Sequence, residues 1–260
     1  MSTISVILTV YNGEQYIGEC LESVLEQTFQ DFEFIIVNDG SIDATREIIS
    51  GYPSDKMIVI DQENHGVSRS LNRALEQARG EYFSYIAHDD WWSRDKLEVE
   101  LDQIQKPPPA GVLYSDFHTV FPDGSKELAR LPAPDPNVFL RGENFINISS
   151  CLVRMSCIHR LKSEEGYCFD EKMESCMDAD FWLRLSRFCT FKHNPIPLSS
   201  YRVHPEQISN SYLHVKNKLK FVFKHNGVSL FTVRFFFEVY CKELIRLARK
   251  KEGHVIYKGI

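Results

Sequence analysis

Three sets of carboxylates have the residue types and spacing for chemistry: Asp39 in Asn38-Asp39-Gly40-Ser41, the adjacent pair Asp89-Asp90 after His88, and Asp178 in Met177-Asp178-Ala179-Asp180-Phe181-Trp182. Carboxylates repel phosphate unless a divalent cation stands between them, and Mg2+ or Mn2+ favours one or two carboxylates plus phosphate oxygens. Asp89-Asp90 suits that task. No phosphate-cradling loop competes for it, because Thr9-Val10-Tyr11-Asn12 follows the first strand where a G-x-G-x-x-G or G-x-x-x-x-G-K loop would stand. The same residues have a plain structural reading, since Asp and Gly close turns and Asp caps helices.

Asp178 lies three and four residues before Phe181 and Trp182, on a stripe that continues through Leu185 and Phe188. Helical periodicity therefore turns it inward near a helix start, as an N-terminal cap or as a general base. Asp180, four and seven residues before Arg184 and Arg187, falls on the outer face by the same periodicity.

The elements that must position these groups are legible in the first 90 residues, where strand and helix patterns alternate as in a parallel sheet with crossover helices. Strands are predicted at 4–9, 34–37, 57–60 and 82–87. Ile17, Cys20, Leu21, Val24 and Leu25 form one helical stripe, Thr45–Ser50 is a short helix, and a helix from Val67 carries Leu71, Ala74, Leu75 and Ala78 and stops at Gly80. In such sheets the ligand crevice lies beyond the carboxyl ends of the strands, which is where Asp39 and Asp89-Asp90 fall. A helix near Arg94–Gln105, a strand over Val112–Phe121 and a turn at Pro122-Asp123-Gly124 follow. The predicted organisation is 1–120, 121–210 and a tail at 211–260.

With 260 residues, 43% hydrophobic content and a net charge of −6, the chain can bury a sizeable core and gives no sign of a nucleic-acid partner. Seven cysteines without a C-x-x-C pair are expected to be reduced thiols in a cytoplasmic protein. No basic stretch precedes the apolar run at Ile4, so no signal peptide is expected, and no transmembrane helix is expected either. Residues 212–260 hold 11 Lys and Arg against 3 Asp and Glu. Val215, Leu219, Val222 and Phe223 fall on one helical face, with Lys216, Lys218, Lys220 and Lys224 around it. Such a helix suits peripheral contact with an anionic membrane; the alternative is an aromatic face packed on the protein or on a second subunit, with solvated lysines.

Over residues 3–210 the chain resembles family 2 glycosyltransferases of the GT-A fold, an inverting class common in bacterial polysaccharide assembly. The resemblance is carried by Ser5-Val6-Ile7-Leu8-Thr9-Val10-Tyr11-Asn12, the Ser23–Thr28 helix end, Asp31-Phe32-Glu33 through Asn38-Asp39-Gly40-Ser41, Gly66-Val67-Ser68 with Asn72, Ala78-Arg79-Gly80-Glu81-Tyr82, and Asp178 with Trp182-Leu183-Arg184-Leu185. It implies a GT-A, Rossmann-like, mostly parallel α/β sheet with flanking helices, to which the helical tail is added. It further implies that Thr9, Tyr11 and Asp39 line the base and ribose, with Asp39 accepting a hydrogen bond from a uracil or thymine ring N–H. Asp89 and Asp90 correspond to the metal and ribose motif, Asp178 to the catalytic base, and Arg202 or His204 to groups that reach the diphosphate or else anchor the loop. The chain departs from the family pattern at Ala87, Met177 and Leu71, where acids or an Arg are usual; Arg69 is a candidate substitute for that Arg.

The resemblance thus implies an inverting transferase that uses Mn2+ or Mg2+ and passes a sugar from a nucleotide donor, a UDP-sugar being expected, to the hydroxyl of a saccharide or lipid-linked acceptor. The missing acids keep a second reading open, a nucleotide-sugar-binding protein without transfer activity. A nucleotidyltransferase is disfavoured, because no glycine-rich basic loop follows the first strand.

Overall fold

The computed structural model describes residues 2–134, 146–173 and 175–207, together with 217, 220, 221 and 223–225. Nine strands form one sheet in the order β3-β2-β1-β4-β8-β6-β9-β5, with β7 beside β6. The strands are β1 (Ile4–Val10), β2 (Phe32–Asp39), β3 (Met57–Gln62), β4 (Tyr82–Ala87), β5 (Trp91–Trp92), β6 (Val112–Val120), β7 (Lys126–Ala129), β8 (Cys151–Arg154) and β9 (Phe191–Arg202). Among the described residues the helices include α1 (Ile17–Leu25), α2 (Thr45–Ser50), α3 (Val67–Gln77), α4 (Lys96–Gln105), α5 (Met155–Glu165) and α6 (Met177–Leu185), with a 3-10 turn at Ile148–Ser150.

The first four strands pair in parallel, as the alternating pattern predicts. Beyond β4 the sheet is mixed: β8 runs antiparallel to β4 and β6, while β9 runs parallel to β6. Strands from residues 1–120 and 121–210 interleave in this one sheet, so the second portion completes the sheet of the first. β1 and β2 are buried along their whole length, which explains why they read as continuous apolar runs. Successive side chains go to opposite faces, Ile7, Ile35 and Val37 toward α3 and α6, and Val6, Leu8 and Ile36 toward α1, α2 and α4.

β2 reaches Asp39, two residues beyond its predicted end, so Asn38 and Asp39 are strand residues and the turn begins at Gly40. Gly40 has φ +76°, and a Cβ there would meet the Asn64 backbone nitrogen at 2.7 Å. At Gly80 a Cβ would stand 2.6 Å from the Ser5 nitrogen. That bare backbone lets Gly80 N–H donate to Ser5 Oγ, which in turn donates to the buried Glu33 carboxylate.

β9 was not foreseen, and its sequence explains why. Pro195 and Pro197 cannot donate to a ladder. The β6–β9 register accordingly jumps from Ser115↔Asn194 to Phe117↔Ser199. The expectation of seven reduced thiols is corrected at one pair: Cys157 at the start of α5 and Cys189 after α6 form a disulfide, because the fold brings their Cα atoms to 6.3 Å. Among the described residues no helix is long and apolar enough to cross a membrane.

Candidate active site

Sheet register places the candidate residues at one end of β1, β2 and β4. Thr9 stands beside Val37, two residues before Asp39, and beside Ala87, two residues before Asp89. Thr9 Oγ1 is 3.1 Å from Tyr85 Oη, and Tyr11 is exposed just beyond the strand. The buried Asp39 carboxylate accepts three hydrogen bonds, from Gln62 Nε2 (2.6 Å), His65 N–H (2.9 Å) and Gly66 N–H (2.8 Å). It therefore closes the loop into α3 while keeping acceptor capacity to spare.

Asp89 and His204 meet at 2.9 Å, Oδ2 to Nε2. Burial alone would raise the Asp89 carboxyl; the His204 hydrogen bond and the charges of His88 and His204 hold it below the usual carboxylate range. Asp90 is 2% exposed. Burial, reinforced by the Asp89 charge, pushes its carboxyl well up, against opposing hydrogen bonds from Ser149 and the Arg202 N–H. Two adjacent acids thus have opposite tendencies, Asp89 ionised and facing His204, Asp90 turned inward against the backbone of β9.

Arg202 ties this corner together. Its guanidinium lies 4.7 Å from the Tyr16 ring centroid and 4.5 Å from that of Trp91. Its Nε donates to the Asp89 carbonyl at 3.0 Å and its Nη2 pairs with Glu19. Tyr16 also packs on the His204 ring. None of Tyr16, Glu19 or Ser149 was singled out from sequence. Tyr16 and Glu19 lie in and beside an ordinary amphipathic helix, and nothing in their spacing reveals a partner in β9.

Ser149 braces Asp90. Its Oγ bonds the Ala87 N–H (3.1 Å) and the Asp90 carboxylate, and its carbonyl accepts from Trp92 Nε1 (2.8 Å). Asn147 caps this turn by accepting from Ser149 N–H, and its carbonyl accepts from the Cys151 thiol. Burial raises the Cys151 thiol, and the charges of Glu100 and Asp178 raise it further. Asp178 is half-buried in the first turn of α6, and its charge is felt at Cys151, which follows the Ile148–Ser150 turn.

The outer-face assignment of Asp180 is corrected. Asp180 and Arg184 are both fully buried and paired at 2.7 Å. Every residue of α6 from Ala179 to Leu185 is buried, so this helix has no outer face there, and the charged side chains are paired inside it. Of the positions where the chain departs from the family pattern, Leu71 is a core residue and Arg69 is exposed.

The start of the tail is corrected as well. Asn217 and Phe221 are buried, Phe223 is 40% exposed, and Lys224 pairs with Asp170 and Asp180. Asn217, Phe221 and His225 face inward, and Lys224, exposed overall, turns its Nζ to the buried Asp180 carboxylate. The expectations for Val215, Leu219 and Val222, and for residues 226–260, lie outside the described residues.

The chain belongs to glycosyl transferase family 2, whose model matches residues 5–160. It is 30% identical over 219 residues to an uncharacterized glycosyltransferase of Rickettsia typhi, covering 81% of this chain and 67% of that one. Among solved structures it is similar to S. aureus TarS 1-349 in complex with UDP-GlcNAc, at TM-score 0.68 and 20% identity, covering 92% of this chain and 72% of that one. It is also similar to a mannosyltransferase of Pyrobaculum calidifontis in complex with GDP-Man and Mn2+, at TM-score 0.65 and 18% identity, covering 92% and 69%. At these identities the two structures establish the GT-A fold, with its mixed α/β sheet and flanking helices.

Proposed function

We propose that the protein is an inverting, metal-dependent glycosyltransferase that moves a sugar from a UDP-sugar to a hydroxyl of a saccharide or glycolipid acceptor in surface polysaccharide assembly. The observation that carries this reading is the Asp89–His204 pair at the carboxyl ends of the parallel strands, 2.9 Å apart and backed by Asp90 and Arg202. A carboxylate and an imidazole are acceptable ligands for Mn2+. Asp89 Oδ2 and His204 Nε2, which face each other, would be the donors that hold such a cation. With two protein donors, the remaining positions around such a cation would be filled by phosphate oxygens and water.

Asp89 and His204 would hold a divalent cation whose positive charge would offset the charge on the departing diphosphate. Thr9, Tyr11 and Asp39 hold the base and ribose, Asp39 with the acceptor capacity left after its three backbone and Gln62 bonds. Arg202, fixed between two rings, keeps the Asp89 backbone and β9 in register with the donor. Asp178 takes the proton from the acceptor hydroxyl as that oxygen attacks the anomeric carbon from the face opposite the leaving group, which inverts the linkage. The need for only one carboxylate base fits a transferase whose leaving group is a diphosphate.

The test is a panel of UDP-, GDP- and dTDP-sugars with Mn2+, offered with and without saccharide acceptors, with release of nucleoside diphosphate as readout. Release from one donor that rises with acceptor, and a product of inverted anomeric configuration, is expected. Tight binding of nucleoside diphosphate without any release would favour a binding protein that lacks transfer activity.

A further inference from the structure

The entry into α6, the helix that bears Asp178, is held from two sides. On one side α3 holds it: Asn72 bonds both backbone groups of Phe169 at 2.9 Å, and Ser68 Oγ donates to the Met173 carbonyl at 2.8 Å. On the other side are the described residues between 217 and 225. Asn217 Nδ2 donates to Ser175 Oγ at 3.2 Å, Lys220 Nζ donates to the Lys172 carbonyl, and Phe221 is buried in the same core as Phe169 and Phe181.

The electrostatic centre of this contact is Asp180, one helical turn into α6 and fully buried. Its Oδ2 accepts from Arg184 Nε at 2.7 Å, while its Oδ1 meets Lys224 Nζ at 2.7 Å and His225 Nε2 at 2.8 Å. Lys224 also reaches Asp170 Oδ2 at 2.8 Å. Two carboxylates thus share Lys224, and Asp180 is bonded to Arg184 and His225 besides. A buried carboxylate is tolerated only when its partners are in place, so Asp180 fixes where the tail must sit. The helix starts at Met177 after Cys176, whose φ is 57° and whose side chain makes no cap hydrogen bond.

We propose that Asn217, Lys220, Phe221, Lys224 and His225 form a positioning brace for the catalytic helix, in which His225 and Lys224 act through Asp180 to hold the first turn that carries Asp178. The inference rests on Asp178 as the base. The tail is then part of the transfer machinery by contact with the domain, apart from any role of residues 226–260. His225 and Lys224 touch no reacting atom and are positioning residues.

The experiment uses the full chain carrying H225L, H225Q, D178N or the pair D178N/H225L. Turnover of the accepted donor, UDP affinity by calorimetry and thermal midpoint are measured for each. H225L is expected to lower kcat about tenfold with UDP affinity unchanged, since the nucleotide contacts lie on the β1, β2 and β4 ends. H225Q, whose amide still donates to Asp180, should recover most of the loss. H225L should add little to D178N, because both act on the same group. Wild-type kcat in H225L, or a loss that multiplies fully with that of D178N, would overturn the brace. If H225L does not fold, K224M is judged by the same criteria. Wild-type turnover in D178N would remove the base assignment itself, and that result is told apart from a failed brace by D178N alone.

Discussion

His204 Nε2 and Asp89 Oδ2 stand 2.9 Å apart although 115 residues separate them in the chain. The contact exists because β9 crosses the sheet beside β6 and ends where β4 ends, with the Arg202 N–H bonded to Asp90 on the way. The metal prediction follows from it. EDTA should abolish sugar transfer and Mn2+ should restore it, and H204A or D89A should raise the Mn2+ concentration needed for half-maximal activity by tenfold or more. Calorimetric titration of Mn2+ with UDP present reads the same loss without turnover. Full activity in chelator would take the cation out of the mechanism.

Asp178→Asn should lower turnover by roughly 10²–10⁴ while leaving UDP affinity unchanged, the pattern for a positioned general base. The comparison is with Glu171→Gln, an exposed neighbour whose hydrogen bond from Asn72 the Gln oxygen would keep. Greater loss in the Glu171 variant would rule out the assignment.

Arg202→Lys should behave as a disruptive change. A lysine cannot lie flat between Tyr16 and Trp91 and at the same time bond the Asp89 carbonyl and Glu19. Losing about 1–2 kcal/mol of cation–π and hydrogen-bond stabilisation at this corner should weaken donor binding about 5–30-fold. UDP titration with Mn2+ measures it, and unchanged affinity would count against the role.

Stability should depend on pH through Asp180. Burial raises this carboxyl, but His225, Arg184 and Lys224 together hold it far below the usual range. A group with a lowered folded pKa contributes stability that is fully present above its unfolded value, about 3.9, and is lost as pH falls toward the folded value. Asp180→Asn should therefore destabilise the protein by about 3–5 kcal/mol at neutral pH, because it strips the partner from buried cations. The gap in denaturation midpoint between wild type and D180N should narrow as pH drops below about 4. A gap that is constant across this range would contradict the ion-pair account.

Gly80→Ala should lower the thermal midpoint by several degrees, since a Cβ 2.6 Å from the Ser5 nitrogen forces β1 and the α3–β4 turn apart. Overpacking of this kind costs about 1–3 kcal/mol. Calorimetry of the purified variant checks it.

The amphipathic stripe of α1, the alternation of apolar strands and helices through residue 90, and the carboxylates at the strand ends are all local patterns, and each is readable because hydrophobic periodicity and turn chemistry act over a few residues. Asp39, Asp89 and Asp90 were legible for that reason, as was the turn that joins β6 to β7. What stayed hidden depends on partners far apart in the chain. The two prolines of β9 mask a strand whose pairing is set by β6, and Ser149 looks like any polar turn residue until it bonds Asp90. Asp180 was assigned outward because periodicity assumes that charge seeks water. The tertiary structure reverses this by surrounding the carboxylate with Arg184, Lys224 and His225, so that ion pairing inside the core outweighs the amphipathic pattern.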